Sequence, residues 1–155
     1  DHVCSRTAPN GTLVDLYAGV GVFAVSAAVL RGSRVIAVEG DRVAAQDLDA
    51  NAVQATGTID AVHQSVEAFT EQTSVRPGTL IVDPPRTGMS KAALSGAINL
   101  RARQILYVSC DVATLARDAR RLVDAGYALT RIDAFDLFPN TPHVETVAEF
   151  ENLRI

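Results

Sequence analysis

The sequence predicts an α/β domain: a seven-stranded, mostly parallel sheet with an antiparallel last strand. Three observations carry this. Short β-branched runs alternate with Ala/Leu-rich stretches along most of the chain, the pattern of a parallel sheet covered on both faces. A glycine-rich stretch, Asp15-Leu16-Tyr17-Ala18-Gly19-Val20-Gly21-Val22-Phe23-Ala24, joins the first such run to the first Ala-rich one. Two extended runs close the chain with no helical stretch between them, so the final one should return antiparallel.

In chain order, residues 12–16 read as the first strand and 22–30 as an alanine-rich helix. Residues 34–38 form a second strand ending at Glu39, followed by a helix over 42–56 that Gly57 stops. Residues 58–63 are a weaker third strand, and 79–82 a fourth after the Pro77-Gly78 turn. A helix over 90–100 leads to a fifth strand at 104–109. The clearest helix is 112–125, where Val112, Leu115, Ala116, Ala119, Leu122 and Val123 recur at three- and four-residue spacing, with Asp111 as N-cap and Gly126 as stop. Strands at 127–135 and 144–150 complete the sheet.

With 155 residues, 48% of them hydrophobic, the chain is expected to hold one core: a linker remnant over residues 1–10, then a single domain over 11–155. Charged residues or glycine interrupt every apolar run before it reaches transmembrane length. The first residues lack the basic-then-apolar layout of a secretory signal, so a cytoplasmic location is expected. Cys4 and Cys110 make neither a disulfide framework nor a zinc spacing, and no metal is expected. The net charge of −4 conflicts with a surface that grips nucleic acid by its phosphates. Either the substrate is not a nucleic acid or the gripping surface lies elsewhere.

Glycines after a strand let a ligand approach the backbone closely. Glu39, at the end of the next strand, is placed to accept hydrogen bonds from ribose hydroxyls. Together they specify an adenosine-type ligand. Gly19-x-Gly21-x-x-Ala24 also satisfies the dinucleotide fingerprint. Asp15 tilts the choice toward S-adenosylmethionine, because a carboxylate just before the glycines suits the cofactor's amino group and sits badly beside a pyrophosphate.

Asp83-Pro84-Pro85-Arg86 ends the fourth strand. The prolines fix two φ angles and remove two donors, so the chain leaves the sheet stiffly with Asp83 at the ligand edge. Arg86 stands where amino-methyltransferases place a base-stacking aromatic, which argues against exocyclic-nitrogen chemistry and leaves carbon as a target. Cys110 follows the fifth strand at the start of a helix, a position that suits a nucleophile, although Asp111 opposes it. A buried structural thiol is the competing reading. An antiparallel last strand beside the fifth would bring Glu145 close to Cys110, whereas Glu149, further along it, reads as an outward-facing strand acid. A cysteine and a base together suit methylation at C5 of uracil: thiolate addition at C6 activates C5, and a base then removes the C5 proton.

Asp15–Phe23, Val38-Glu39, Asp83–Gly88, Tyr107–Asp118 and Asp136–Val147 resemble, in order, the RNA uracil-C5 methyltransferases. The Tyr-Val-Ser-Cys and Leu-Phe-Pro-Asn-Thr-Pro-His-Val-Glu stretches carry the resemblance most specifically. It implies the class I S-adenosylmethionine-dependent methyltransferase fold, which is Rossmann-like. It implies Cys110 as nucleophile, Glu145 as base, and cofactor contacts from Tyr17, the backbone around Gly19 and Gly21, Glu39 and Asp83, with Asp83 also holding the target base. The implied partner is tRNA or rRNA, with the base flipped into the pocket. Asp111-Val112 replaces the family's Asn-Pro, and Val22 its usual Asn or Thr. The upstream glutamine motif, the RNA-binding region and the TRAM domain are not in this sequence, so the chain is expected to be a C-terminal fragment whose RNA grip lies upstream. The rival readings are a small-molecule or amino-group methyltransferase with a structural Cys110, an NAD(P)-binding domain, and a non-catalytic RNA-binding module.

Overall fold

Alternating apolar runs and amphipathic stretches fold into strands and covering helices in the expected order. The computed structural model describes residues 2–9, 11–55, 58–137, 140–141 and 144–155. The elements are α1 (His2–Arg6), β1 (Leu13–Leu16), α2 (Val22–Arg31), β2 (Val35–Glu39), α3 (Arg42–Gln54), β3 (Ile59–His63), α4 (Val66–Gln72), β4 (Thr79–Val82), α5 (Lys91–Asn99), β5 (Gln104–Ser109), α6 (Val112–Asp124), β6 (Tyr127–Phe135) and β7 (Glu145–Asn152). The sheet order is β3-β2-β1-β4-β5-β7-β6. The first five strands pair in parallel, and β7 is antiparallel to both β5 and β6.

Every residue of β1, β4 and β5 is buried, as expected for central strands covered on both faces. Val14, Leu16, Leu80, Val82, Ile105, Tyr107 and Phe150 contribute to the core on one face of the sheet. Leu13, Val35, Ile81, Leu106 and Val147 contribute to that on the other. Among the described residues no helix is long and apolar enough to cross a membrane, and no cluster of three His, Cys, Asp or Glu side chains is placed to hold a metal.

Three features differ from the sequence reading. The connection between β3 and β4 contains a further helix, α4. Its run is short, but the Ser65 hydroxyl caps it by accepting from the Ala68 amide at 3.2 Å. Residues 2–6, read as part of a linker remnant, form α1, which buries Val3 and Cys4. Glu149, read as an outward-facing acid, is buried and accepts from Arg6 Nε at 3.0 Å and Gln104 Nε2 at 2.8 Å. Gln104 Oε1 in turn accepts from the Ala8 amide and the Thr79 hydroxyl. This polar lattice fastens the N-terminal segment across β4, β5 and β7. Gly57, expected to stop α3, lies outside the described residues.

Helix α5 packs against α4 through Gly96. A Cβ there would overlap Thr70 Oγ1 and lie 2.5 Å from Thr70 Cβ. Rotating the threonine does not move its Cβ, so the overpacking outweighs the helix-propensity gain of alanine. Gly96→Ala should therefore destabilise the chain by about 1–3 kcal/mol in urea unfolding, with partial recovery in Gly96→Ala/Thr70→Gly.

Candidate active site

The carboxyl ends of β1, β2, β4 and β5 form one edge, and the predicted site residues collect along it. Between β1 and α2 the chain turns through left-handed Tyr17 (φ 64°), Gly19 (φ 55°) and Gly21 (φ 93°). The Gly21 amide donates to the Ala18 carbonyl at 2.8 Å, and the Ala18 amide to the Val38 carbonyl at 3.0 Å. Gly19 faces open space: an added Cβ would meet nothing within 4 Å. Gly21 is confined, since a Cβ would come within 2.7 Å of Leu48 Cδ1. Glu39 fastens this loop, accepting from the Gly19 amide at 2.7 Å through one oxygen and from the Asp41 amide at 2.6 Å through the other. Each oxygen keeps a lone-pair direction for a further donor.

Asp15 is sealed beneath the loop. It has no solvent exposure, and neither carboxylate oxygen has a hydrogen-bond partner. Burial, with repulsion from Asp83 as the next cause, pushes its pKa up to about 8. Tyr17 points to the other side of the loop. It packs against the core and lines a cavity of about 650 Å³ with Glu67, Pro85, Met89 and Arg117. Burial, then the charges of Glu67 and Asp118, push its phenol up to about 12.

Asp83 continues β4 past its last ladder pair, its amide reaching the Leu16 carbonyl at 3.4 Å. Desolvation, then the charge of Glu145, raise its carboxyl to about 6. Burial also raises Glu145. Ser109 pairs with Thr146 in the antiparallel ladder, so one further step in register sets Cys110 across from Glu145. Cys110 is a half-buried free thiol. Ser109 braces its turn, its hydroxyl donating to the Asp111 carbonyl at 2.9 Å and accepting from the Asp111 amide at 3.1 Å. Asp111 caps α6 by accepting from the Thr114 amide at 2.8 Å. The edge thus gathers Asp83, Cys110 and Glu145, with the glycine loop, Glu39 and Asp15 alongside. Phe138, Pro139, Pro142 and His143, from the stretch that leads to Glu145, lie outside the described residues.

One part of the site was not singled out from the sequence. Asp118, on α6, is buried and accepts from Tyr107 Oη at 2.6 Å, the Met89 amide at 2.9 Å and Arg117 Nε at 2.9 Å. Arg117 also donates to the Thr87 and Met89 carbonyls at 3.1 Å, and the Thr114 hydroxyl to the Arg86 carbonyl at 3.2 Å. The bracket leaves no room for a side chain at Gly88, where a Cβ would lie 2.8 Å from Asp118 Oδ2. It binds the loop that leaves Asp83 to the helix that follows Cys110. The signal in the sequence was an acid among the apolar-spaced positions of α6, the residue after Arg117.

A sequence model of the tRNA (uracil-5-)-methyltransferases matches residues 3–151. The chain belongs to that family. It is 42% identical over 149 residues to an uncharacterized RNA methyltransferase of Thermotoga maritima, covering 94% of this chain and 34% of that protein. It is 41% identical to another from Streptomyces avermitilis, covering 89% and 32%. The chain therefore spans about a third of the length of the curated relatives it matches. Among solved structures, the Pyrococcus abyssi tRNA (uracil-54, C5)-methyltransferase in complex with S-adenosyl-L-homocysteine superposes with a TM-score of 0.84 at 31% identity, over 96% of this chain and 36% of that one. Pyrococcus horikoshii NSun6 shares the fold, with a TM-score of 0.81 at 12% identity over 99% of this chain and 50% of that one. The architecture is the class I S-adenosylmethionine-dependent methyltransferase fold that the sequence implied.

Because Asp118 satisfies two buried donors, the Tyr107 hydroxyl and the Met89 amide, besides the exposed Arg117, Asp118→Ala should cost about 3 kcal/mol. Tyr107→Phe, which removes one donor together with its hydroxyl, should cost about 1 kcal/mol. Urea denaturation of both variants checks the order.

Proposed function

We propose that this domain transfers a methyl group from S-adenosylmethionine to C5 of a uridine in tRNA or rRNA, through a covalent adduct between Cys110 and C6. The observation that carries this reading is the β5–β7 register, whose last pair, Ser109 with Thr146, has Cys110 and Glu145 as its next residues, with Asp83 close enough for the Glu145 charge to raise its pKa. Family membership supports the substrate class.

The residues present fit the cofactor. Gly19 leaves its backbone open, Glu39 retains acceptor capacity beside it, and Asp15 is an orphaned buried carboxylate beneath it. That carboxylate would repel the pyrophosphate of a dinucleotide and attract the cofactor's ammonium group. When bound, the cofactor supplies an electrophilic methyl group on sulfonium.

Cys110, as thiolate, adds to C6 of the uracil. The C5–C6 π pair moves toward the C4 carbonyl, and C5 becomes nucleophilic. After C5 has gained the methyl group, Glu145 takes the C5 proton. The C5–H electron pair re-forms the double bond, and the Cys110 thiolate leaves. Burial raises the Glu145 pKa, which strengthens it as a base. Asp83, whose carboxyl desolvation raises to about 6, would hydrogen-bond the base being modified.

RNA containing 5-fluorouridine cannot lose fluorine as a cation, so the full-length enzyme should accumulate a covalent adduct visible on a denaturing gel. Cys110→Ala should abolish it, whereas Cys4→Ala, which alters a thiol on the buried face of α1, should not. Equal trapping by Cys110→Ala would overturn the assignment. Glu145→Gln should stall after methyl transfer on ordinary RNA; unimpaired turnover by that variant would remove its role as base.

Asp15 gives a pH signature. Its pKa in the fold, about 8, lies above the ordinary 3.8, so the fold favours the protonated form. The stability this contributes is complete below about pH 4 and is lost as pH rises toward 8. Without cofactor, Asp15→Asn should exceed the native chain in stability by a few kcal/mol at pH 8 and match it near pH 4. Cofactor binding should release a proton from Asp15, seen as a dependence of the calorimetric enthalpy on buffer ionisation; Asp15→Asn should remove it.

A further inference from the structure

The edge of the sheet opposite the catalytic one holds a second cavity, of about 860 Å³. Arg76, Arg101, Arg103 and Arg154 line it, with Ile98 and Tyr127 among the apolar residues, and no Asp or Glu does. All four arginines are exposed. Among the described residues none of them has a carboxylate partner. Elsewhere, Arg6, Arg34, Arg117, Arg120 and Arg131 are paired with acids, and the other cations, Arg31, Arg42, Arg86, Lys91 and Arg121, are not gathered in this cleft. In a chain of net charge −4, this cleft concentrates unneutralised positive charge.

The cleft is built on fixed backbone. The Arg103 amide donates to the Pro77 carbonyl at 3.3 Å, and the Asn152 amide to the Arg103 carbonyl at 2.9 Å. Those bonds join the segments before β4, before β5 and at the end of β7. Arg154 lies over Gly126, where a Cβ would come within 2.9 Å of its Cζ. Guanidinium groups present planar forks of donors that match phosphate oxygens.

We infer that this cleft is a phosphate-binding site for the RNA substrate, gripping a part of the RNA remote from the methylated base. β5 separates Arg103 from Cys110 by seven residues, about 23 Å of extended chain. A single flipped nucleotide cannot reach both edges, so the cleft engages only RNA large enough to pass around the domain. The inference rests on RNA being the substrate and not on the covalent mechanism.

The test compares full-length enzyme with Arg76→Ala/Arg101→Ala/Arg103→Ala and with the corresponding triple lysine variant. The RNA is unmodified total tRNA and rRNA from cells lacking the gene, either intact or trimmed to a few nucleotides around the target. On intact RNA the alanine variant should lower the log–log salt slope of binding by about 2–3, with about 0.9 for each phosphate left unneutralised. It should also raise KM about tenfold with kcat unchanged. On trimmed RNA it should match the native enzyme, and the lysine variant should keep most of the slope. An unchanged slope and KM on intact RNA, while the native enzyme methylates it, would overturn the cleft and leave the methyltransferase reading standing. Equal losses on intact and trimmed RNA with a lowered Tm would also overturn it, by making the cleft a seat for another part of the full-length protein. Failure of the native enzyme to bind either RNA would overturn both readings.

Discussion

The candidate site depends on the antiparallel pairing of β7 with β5. A strand slipped by one residue turns every side chain to the opposite face. In β7 that would exchange Ala148 and Phe150, which belong to one core, with Val147, which belongs to the other. It would also take the Glu149 carboxylate away from Gln104 and Arg6. These penalties fall well inside the strand, yet they fix where it begins. Glu145 stands across from Cys110 because Phe150, five residues on, has one place to go. The chemistry at the edge is thus set by packing in the interior.

The same edge carries an electrostatic cost. Asp15, Asp83, Glu39 and Glu145 converge there, and the first two repel each other enough for that repulsion to rank next after desolvation at Asp15. Hydrogen bonds to backbone amides satisfy Glu39, while Asp15 has no well-formed bond and only a smaller stabilisation from the Ala24 backbone. A buried carboxylate without a partner relaxes by taking a proton. A cationic ligand above the loop reverses that preference. The strain at Asp15 therefore couples the occupancy of the glycine loop to the stability of the strand beneath it, and makes the empty site sensitive to pH in a way a paired acid would not.

Much of this arrangement was legible in the sequence because it depends on strand order and strand ends. Asp15, Glu39, Asp83 and Cys110 each follow or end an apolar run, and the absence of a helix between the last two strands required an antiparallel return. What escaped depended on partners distant in sequence. The charge of Glu149 suggested exposure, and only the fold brings Arg6 and Gln104 to it. Asp118 looked like one polar residue on an amphipathic helix until Tyr107 and Met89 closed around it. Helix α4 was missed because seven residues give too little periodicity to read. The segment around α1 read as a linker remnant because the acids that hold His2 and Arg6, Asp133 and Glu149, lie more than a hundred residues away.

The acidity that first argued against a nucleic-acid substrate has a different meaning once charge is placed in space. Net charge describes the field far from a protein, but binding a polyanion depends on where cations lie within about a Debye length of the phosphates. Here carboxylates gather at the carboxyl edge of the sheet, where, on the proposed mechanism, a cationic cofactor and proton transfer would give them uses. The unpaired arginines of the cleft gather at the other end of the same strands. An RNA drawn to the arginines would meet the acids only at the base that enters the site, and uracil itself carries no charge to repel. On the proposed reading, the length of β5 keeps the phosphates held in the cleft away from the carboxylates that the methyl transfer would use.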